Sequence, residues 1–335
     1  MTTPASGTPA SAHARTDALH PPHDPVPLRP VPASPVAEWP AGTFIENLAP
    51  APGETGGWLV TIPSHNRVDR VHPDGRHEVL AEFPHPPTGI VSDGTSALVV
   101  TGPMGSPGLQ LARLGKPGAR ASAETVCDLP GLISGNGMTW AGDRLLIADS
   151  LHGHVLATDP ASGTSSVWLA HHLLTKTDPD SPLPGVNGIA TRNGQVYLTS
   201  SERALLLRCP VHSTYPAIDL EVAAERLFAD DLDLDPDGRI YLATHTYHSV
   251  LRLDPDGHRE DIAGHAQGIA GPTSVAFDPH DPTALYVTTT GGLLSPPRGK
   301  PEPARLIRLK PQLTEPEPTG GSQKLICAGA SREVR

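Results

Sequence analysis

Apolar residues along this chain alternate with polar ones in short runs, and Gly- or Pro-rich turns punctuate them. Residues 229–250 read ADDLDLDPDGRIYLATHTYHSV. Ile240 and Leu242, then Leu251 and Leu253, follow the period of two that marks half-buried strands. Asp-Pro-Asp-Gly between them is turn chemistry, with Pro at the first central position and Gly able to take positive φ. The run Asp233, Asp235, Asp237, Gly238 also resembles the start of an EF-hand loop. With Asp233 as position 1, however, position 12 is Thr244, which cannot replace the bidentate Glu, and the flanks are strands. The segment therefore predicts a strand, a tight turn and a second strand.

The same pattern recurs. NGMTWAGDRLLIADSLHGHVLATDPASG begins at Asn136, NGIATRNGQVYLTSSERALLLRCPV at Asn187 and DDLDLDPDGRIYLATHTYHSVLRLDPDG at Asp230. Weaker copies begin at Glu46, Thr88 and Thr273. The intervals are 42, 48, 51, 43 and 43 residues. Each unit holds three strands, and HEVLAEF, ETVCDL, SSVWLAH, IDLEVAAERLF and HREDIAG supply outer fourth strands. A period in the forties with four strands per unit predicts an all-β, six-bladed β-propeller of four-stranded antiparallel blades. The sixth unit lacks its outer strand. Either Pro35 to Pro40 or the C-terminal KLICAG (Lys324 to Gly329) can close the ring.

Composition adjusts this picture. The chain has 335 residues, 39 Pro and 33 Gly, which suits a turn-rich protein with few long helices. Residues 1–35, rich in Pro, Ala, Ser and His, read as a disordered tail, and 36–330 as the propeller domain. A net charge of −11 argues against nucleic acid or anionic membrane as partners and favours a monomer. Three widely spaced cysteines, no span of about 18 apolar residues and no secretory h-region lead to the expectation of a cytoplasmic protein.

Rotational pseudo-symmetry should gather Glu46, Thr88, Asn136, Asn187, Asp230 and Thr273 at one mouth of the central channel. Two carboxylates facing each other there repel unless a cation or a proton intervenes. With two carboxamides they form an all-oxygen set suited to one divalent cation, Ca²⁺ first, with Mg²⁺, Mn²⁺ or Zn²⁺ as alternatives. The competing reading makes each Asn-Gly pair a mere turn former. Thr88, Thr273 and Ser134 fall at the same mouth as substrate contacts. Loops after each second strand add His65, Met104, His152, Glu202, His245 and Tyr247. His245 and His152, taken to share one blade offset, join Asp230 as catalytic candidates.

The ring and blades resemble the gluconolactonase, regucalcin and luciferin-regenerating enzyme family over about residues 40–312. Those six-bladed propellers hold one divalent metal with a Glu, two Asn and an Asp. The positions implied here are Glu46 in FIENL, Asn136 in GNGMTW, Asn187 in VNGIA and Asp230 in ADDLDLDPDG. Ser134 stands where sugar-lactone members usually carry Arg. Phrases such as NGMTW and GVNGIA are similar to a secondary-metabolism branch that includes fungal hetero-Diels–Alderases. The resemblance implies a metal-dependent enzyme acting on a small molecule, foremost a lactonase-type hydrolase. A non-hydrolytic cyclase or isomerase and a non-catalytic binding propeller are the alternatives.

Overall fold

A computed structural model describes residues 19–53, 56–115 and 123–311. Six four-stranded antiparallel sheets form a six-bladed β-propeller. From the axis outward, blade 1 comprises Leu48–Pro50, Trp58–Ile62, Arg67–Val71 and His77–Glu82. Blade 2 comprises Pro87–Ser92, Ala97–Thr101, Gln110–Leu114 and Glu124–Asp128. Blade 3 comprises Gly135–Ala141, Arg144–Asp149, His154–Asp159 and Thr164–Ala170. Blade 4 comprises Val186–Arg192, Gln195–Ser200, Leu205–Pro210 and Glu221–Glu225. Blade 5 comprises Leu232–Leu234, Ile240–Ala243, Val250–Leu253 and Arg259–Ala263. Blade 6 comprises Pro272–Phe277, Leu285–Thr289 and Pro303–Leu309, and its outer strand is Ala33–Ala41. The N-terminal candidate thus closes the ring, while Lys324 to Gly329 lies outside the described residues.

The acidic hairpin of blade 5 forms as its turn chemistry requires. Leu234 pairs with Ile240, and Gly238 has φ 83. Asp235 is buried and pins the turn by accepting from the backbone N–H groups of Asp237 and Arg239, each at 2.9 Å. Its other oxygen accepts from Arg239 and from the Tyr241 hydroxyl. All its acceptor capacity serves the hairpin.

The core is a set of six apolar seams between neighbouring blades. Leu146 and Val155 of blade 3 pack with Val196 and Leu198 of blade 4. Trp39 and Leu306 of blade 6 pack with Trp58 and Val60 of blade 1. The second strands bury both faces, which is why they read as near-continuous apolar runs such as LLIA and ALVV, whereas the outer strands leave one face to solvent.

Residues 19–32 depart from the disordered tail expected of 1–35. Asp24 N–H donates to Arg226 O at 3.0 Å, Arg29 N–H donates to Asp261 O at 2.8 Å, and Leu28 bridges Asp261 in parallel. The Tyr247 hydroxyl donates to Pro21 O at 2.5 Å, and Tyr247 stacks on His23 with centroids 4.5 Å apart. The composition is too polar to build a core, but it needs none, because the propeller supplies the apolar partners. His23 is pushed down to about 4, chiefly by burial and then by the nearby Arg259 charge. Its pKa is depressed below the free value, so the attached state takes up its proton last. Attachment should be complete above about pH 6.5 and weaken as pH falls toward 4. Amide hydrogen exchange of residues 19–24 at pH 7 and pH 5 should show the acid-induced loosening, and equal protection at both would refute it.

Candidate functional site

The ring residues precede or begin the innermost strands, and the glycines beside them explain how the blades approach so closely. A Cβ on Gly137 would sit 2.5 Å from Asn187 O, and one on Gly188 would sit 2.8 Å from Asp230 O. A Cβ on Gly89 would sit 1.9 Å from Asn136 O. Gly137 and Gly188 lie within strands, so Asn-Gly here is no turn. It marks a backbone-to-backbone contact between successive blades that a side chain would block.

Four side chains meet as two pairs. Asn136 Nδ2 donates to Glu46 Oε1 at 2.9 Å, and Asn187 Nδ2 donates to Asp230 Oδ1. Asn187 and Asp230 are buried, while Glu46 and Asn136 are half-buried. Burial, followed by the charge of Asp230, pushes Glu46 up to about 8. Asp231 is likewise pushed up to about 7 by burial, against the pull of a hydrogen bond from Ser274. The charge of Asp230 thus acts on Glu46, although the two carboxylates are held by different partners, Asn187 and Asn136. Asn47 was not anticipated; its Nδ2 donates to Asn136 Oδ1 at 3.1 Å. The available signal was the tandem polar pair Glu46-Asn47, matched by Asp230-Asp231 at the same offset.

Below the ring, a channel cavity of ≈ 190 Å³ is lined by Asn47, Met138, Thr139, Asp231 and Asp233, among others.

Thr88 and Thr273 sit in the ring but spend their hydroxyls on it. Thr88 Oγ1 donates to Gly135 O at 2.6 Å, and Thr273 Oγ1 donates to Ile45 O at 2.8 Å. Both tie one blade to the next. Ser134 is buried next to the first strand of blade 3. Glu202 caps the 177–178 backbone, accepting from Thr177 N at 3.0 Å, Thr177 Oγ1 at 2.6 Å and Asp178 N at 3.0 Å. Tyr247 holds the N-terminal segment. His65 is exposed and paired with Ser64, and Met104 is exposed.

His245 belongs to the site. Its Nδ1 lies 2.7 Å from Asp230 Oδ2, and its Nε2 is buried without a hydrogen-bond partner. Its φ of 38 is rare for a non-glycine residue, a strain that surrounding structure must hold. Phe44 lies beside it, ring centroids 6.3 Å apart.

His152 does not share that offset. In blade 3, Asp149 pairs with His154 across a loop of Ser150 to Gly153. In blade 4, Ser200 pairs with Leu205 across Ser201 to Ala204. In blade 5, Thr244 and Ser249 are joined across His245 to His248. Each loop ends on a left-handed residue: Gly153, Ala204 and His248 have φ 69, 54 and 57. His245 thus corresponds to Ser150 and Ser201, whereas His152 corresponds to Tyr247. Ser201 Oγ accepts from Asn187 Nδ2 at 3.2 Å, as His245 meets Asp230. Ser150 Oγ, in the matching place, is buried and without a partner.

No protein-family model and no curated protein matches the chain. Solved structures do. Regucalcin from Agrobacterium tumefaciens, described as a calcium-binding protein, aligns with TM-score 0.61 and 19% identity, covering 84% of this chain and 95% of its own. Luciferin-regenerating enzyme aligns with TM-score 0.60 and 15% identity, covering 84% and 96%. A gluconolactonase from Xanthomonas campestris aligns with TM-score 0.56 and 14% identity, covering 87% and 98%. At such identities the likeness carries the six-bladed architecture alone. Among the described residues, no helix is long and apolar enough to cross a membrane.

Proposed function

We propose that this propeller is a metal-assisted hydrolase of small lactones or related esters, working at the mouth bounded by Glu46, Asn136, Asn187 and Asp230. The observation that carries this reading is the His245–Asp230 pair, with its 2.7 Å contact and its bare, buried Nε2. An imidazole that gives Nδ1–H to a carboxylate keeps Nε2 as an acceptor. Such a nitrogen would take the proton from a water admitted with the substrate.

The donor set fits a hard divalent cation. Two carboxylates and two carboxamides supply the oxygen donors, which an incoming ion would take over from their present hydrogen bonds, and the upward shift of Glu46, from burial and then from Asp230, is in keeping with a missing counter-charge. Glu46, Asp230, Asn136 and Asn187 would hold the ion, and calcium suits them best, in keeping with the regucalcin neighbour. When bound, it would polarise the ester carbonyl and acidify a nearby water. Asp230 then has two duties: it shares in holding charge at the mouth, and it orients His245 and stabilises the imidazolium. Phe44, beside His245, would give the substrate an apolar wall.

A panel of lactones, assayed with and without chelator in ¹⁸O-enriched water, tests this reading. Metal-dependent ring opening with one labelled oxygen in the product acid is the expected result. Conversion without label would replace hydrolysis by rearrangement, and no conversion of any member would end the proposal.

Glu46→Gln should raise the melting temperature in chelator, because the cost of holding a desolvated carboxyl group, raised to about 8, beside Asp230 is gone. It should also abolish the calcium-dependent gain, about 2.7 kcal/mol for wild type at a hundredfold excess over Kd. Calorimetry with and without calcium checks both; a variant that keeps the calcium gain would exclude Glu46 as a ligand.

A further inference from the structure

Blade 3 carries a second group of ligand atoms of a different chemical kind. Asp149 ends its second strand and His154 begins its third, paired across the hairpin. Gly153, at φ 69, turns the chain between His152 and His154. The two imidazoles therefore stack on one side, centroids 5.1 Å apart and 27° from parallel. His152 Nδ1 lies 2.9 Å from Asp149 Oδ2, and His154 Nε2 lies 3.7 Å from the same oxygen. One ligand atom from each of the three residues falls within 4.8 Å of the others.

From this geometry we infer a transition-metal site formed by Asp149, His152 and His154, outside the channel and independent of the hydrolase reading. Its donors are two imidazole nitrogens and one carboxylate oxygen. That set favours zinc, with nickel, cobalt and copper as competitors, and disfavours calcium, which takes oxygen ligands. The carboxylate is held in advance. Asp149 is buried and accepts from the backbone N–H groups of Ile133 at 2.9 Å, Leu151 at 3.2 Å and His152 at 3.1 Å. A ligand fixed in this way loses little conformational freedom when an ion arrives. The backbone between the histidines is fixed too, since a Cβ on Gly153 would lie 2.5 Å from Thr175. Solvent reaches the group from the His152 side, whose side chain is 45% exposed. Water can therefore complete a tetrahedral shell.

Binding requires tautomer changes, a small closing-in of the ligand atoms and release of His154 Nε2 from Gly131 O. His152 shifts its Nδ1 proton to Nε2, and His154, whose Nε2 faces Gly131 O at 3.2 Å, carries its proton on Nδ1. Both histidines then coordinate as neutral imidazoles.

Isothermal titration of zinc into the full chain, in excess calcium, tests the site. Wild type should take up one zinc that survives Glu46→Gln. His152→Ala and His154→Ala should each weaken it at least tenfold, with unchanged melting curves in chelator. His152, being half exposed, can be replaced without opening the core, so the test does not depend on how His154→Ala folds. X-ray absorption at the zinc edge should report two imidazoles. Zinc uptake unchanged in His152→Ala, loss of uptake in Glu46→Gln, or an affinity no better than that of free histidine would each overturn the assignment.

Discussion

Asp230→Asn should lower kcat on any lactone the enzyme opens by roughly 10²–10⁴-fold, while the melting temperature holds or rises. Asparagine keeps the shape of the side chain and one acceptor oxygen. It removes the charge that supports an imidazolium at His245 and that would help hold a cation beside Glu46. Fold should survive, because the side chain keeps its shape and one of its two acceptor oxygens, and the lost charge no longer acts on Glu46. His245→Gln should cost a similar factor, and adding it to Asp230→Asn should cost little more, since the two residues act as one unit. Steady-state kinetics of the four proteins closes the cycle. Additive losses would separate the pair, and a fully active Asp230→Asn would remove the mechanism.

The second large effect concerns stability. Trp39 lies on the outer strand of blade 6 and is 1% exposed. Its Nε1 donates to Asp69 Oδ2 in blade 1 at 2.9 Å, and its ring packs at a 39° tilt against His77, centroids 4.5 Å apart. Trp39→Ala should destabilise by about 3–5 kcal/mol through lost apolar burial and the cavity left behind. The hydrogen bond to a buried carboxylate adds to that loss. Trp39→Phe fills most of the space and should lose only the hydrogen-bond share, about 1.5–3 kcal/mol. Urea midpoints would rank wild type, Phe and Ala in that order. Near-equal midpoints would mean that Trp39 is not the latch between the two blades.

The repeat was legible in the sequence because each blade must solve the same packing problem. A ring residue, a close contact to the next blade and two apolar strands leave a periodic trace, strongest at Asn136, Asn187 and Asp230. Glu46 carried the same offset with a different residue and was still found. What stayed hidden depends on backbone direction. The offset of His152 is misread because the left-handed residue closing each loop can be Gly153, Ala204 or His248, which share no side chain. The duties of Thr88 and Thr273 follow from where a hydroxyl points, and spacing does not encode that. Residues 19–32 looked too polar to be ordered, because their partners, Tyr247 and Arg226 among them, lie some two hundred positions downstream.

Closing blade 6 with Ala33–Ala41 also sets the order in which the molecule can be completed. The partner of that strand, Pro303–Leu309, is among the last described segments to leave the ribosome. At ordinary synthesis rates the nascent chain waits on the order of tens of seconds with its first strand unpaired. During that time the growing arc has two open edges able to recruit foreign strands. Circular permutation that moves the seam into another blade should shift that period of exposure without altering the finished ring.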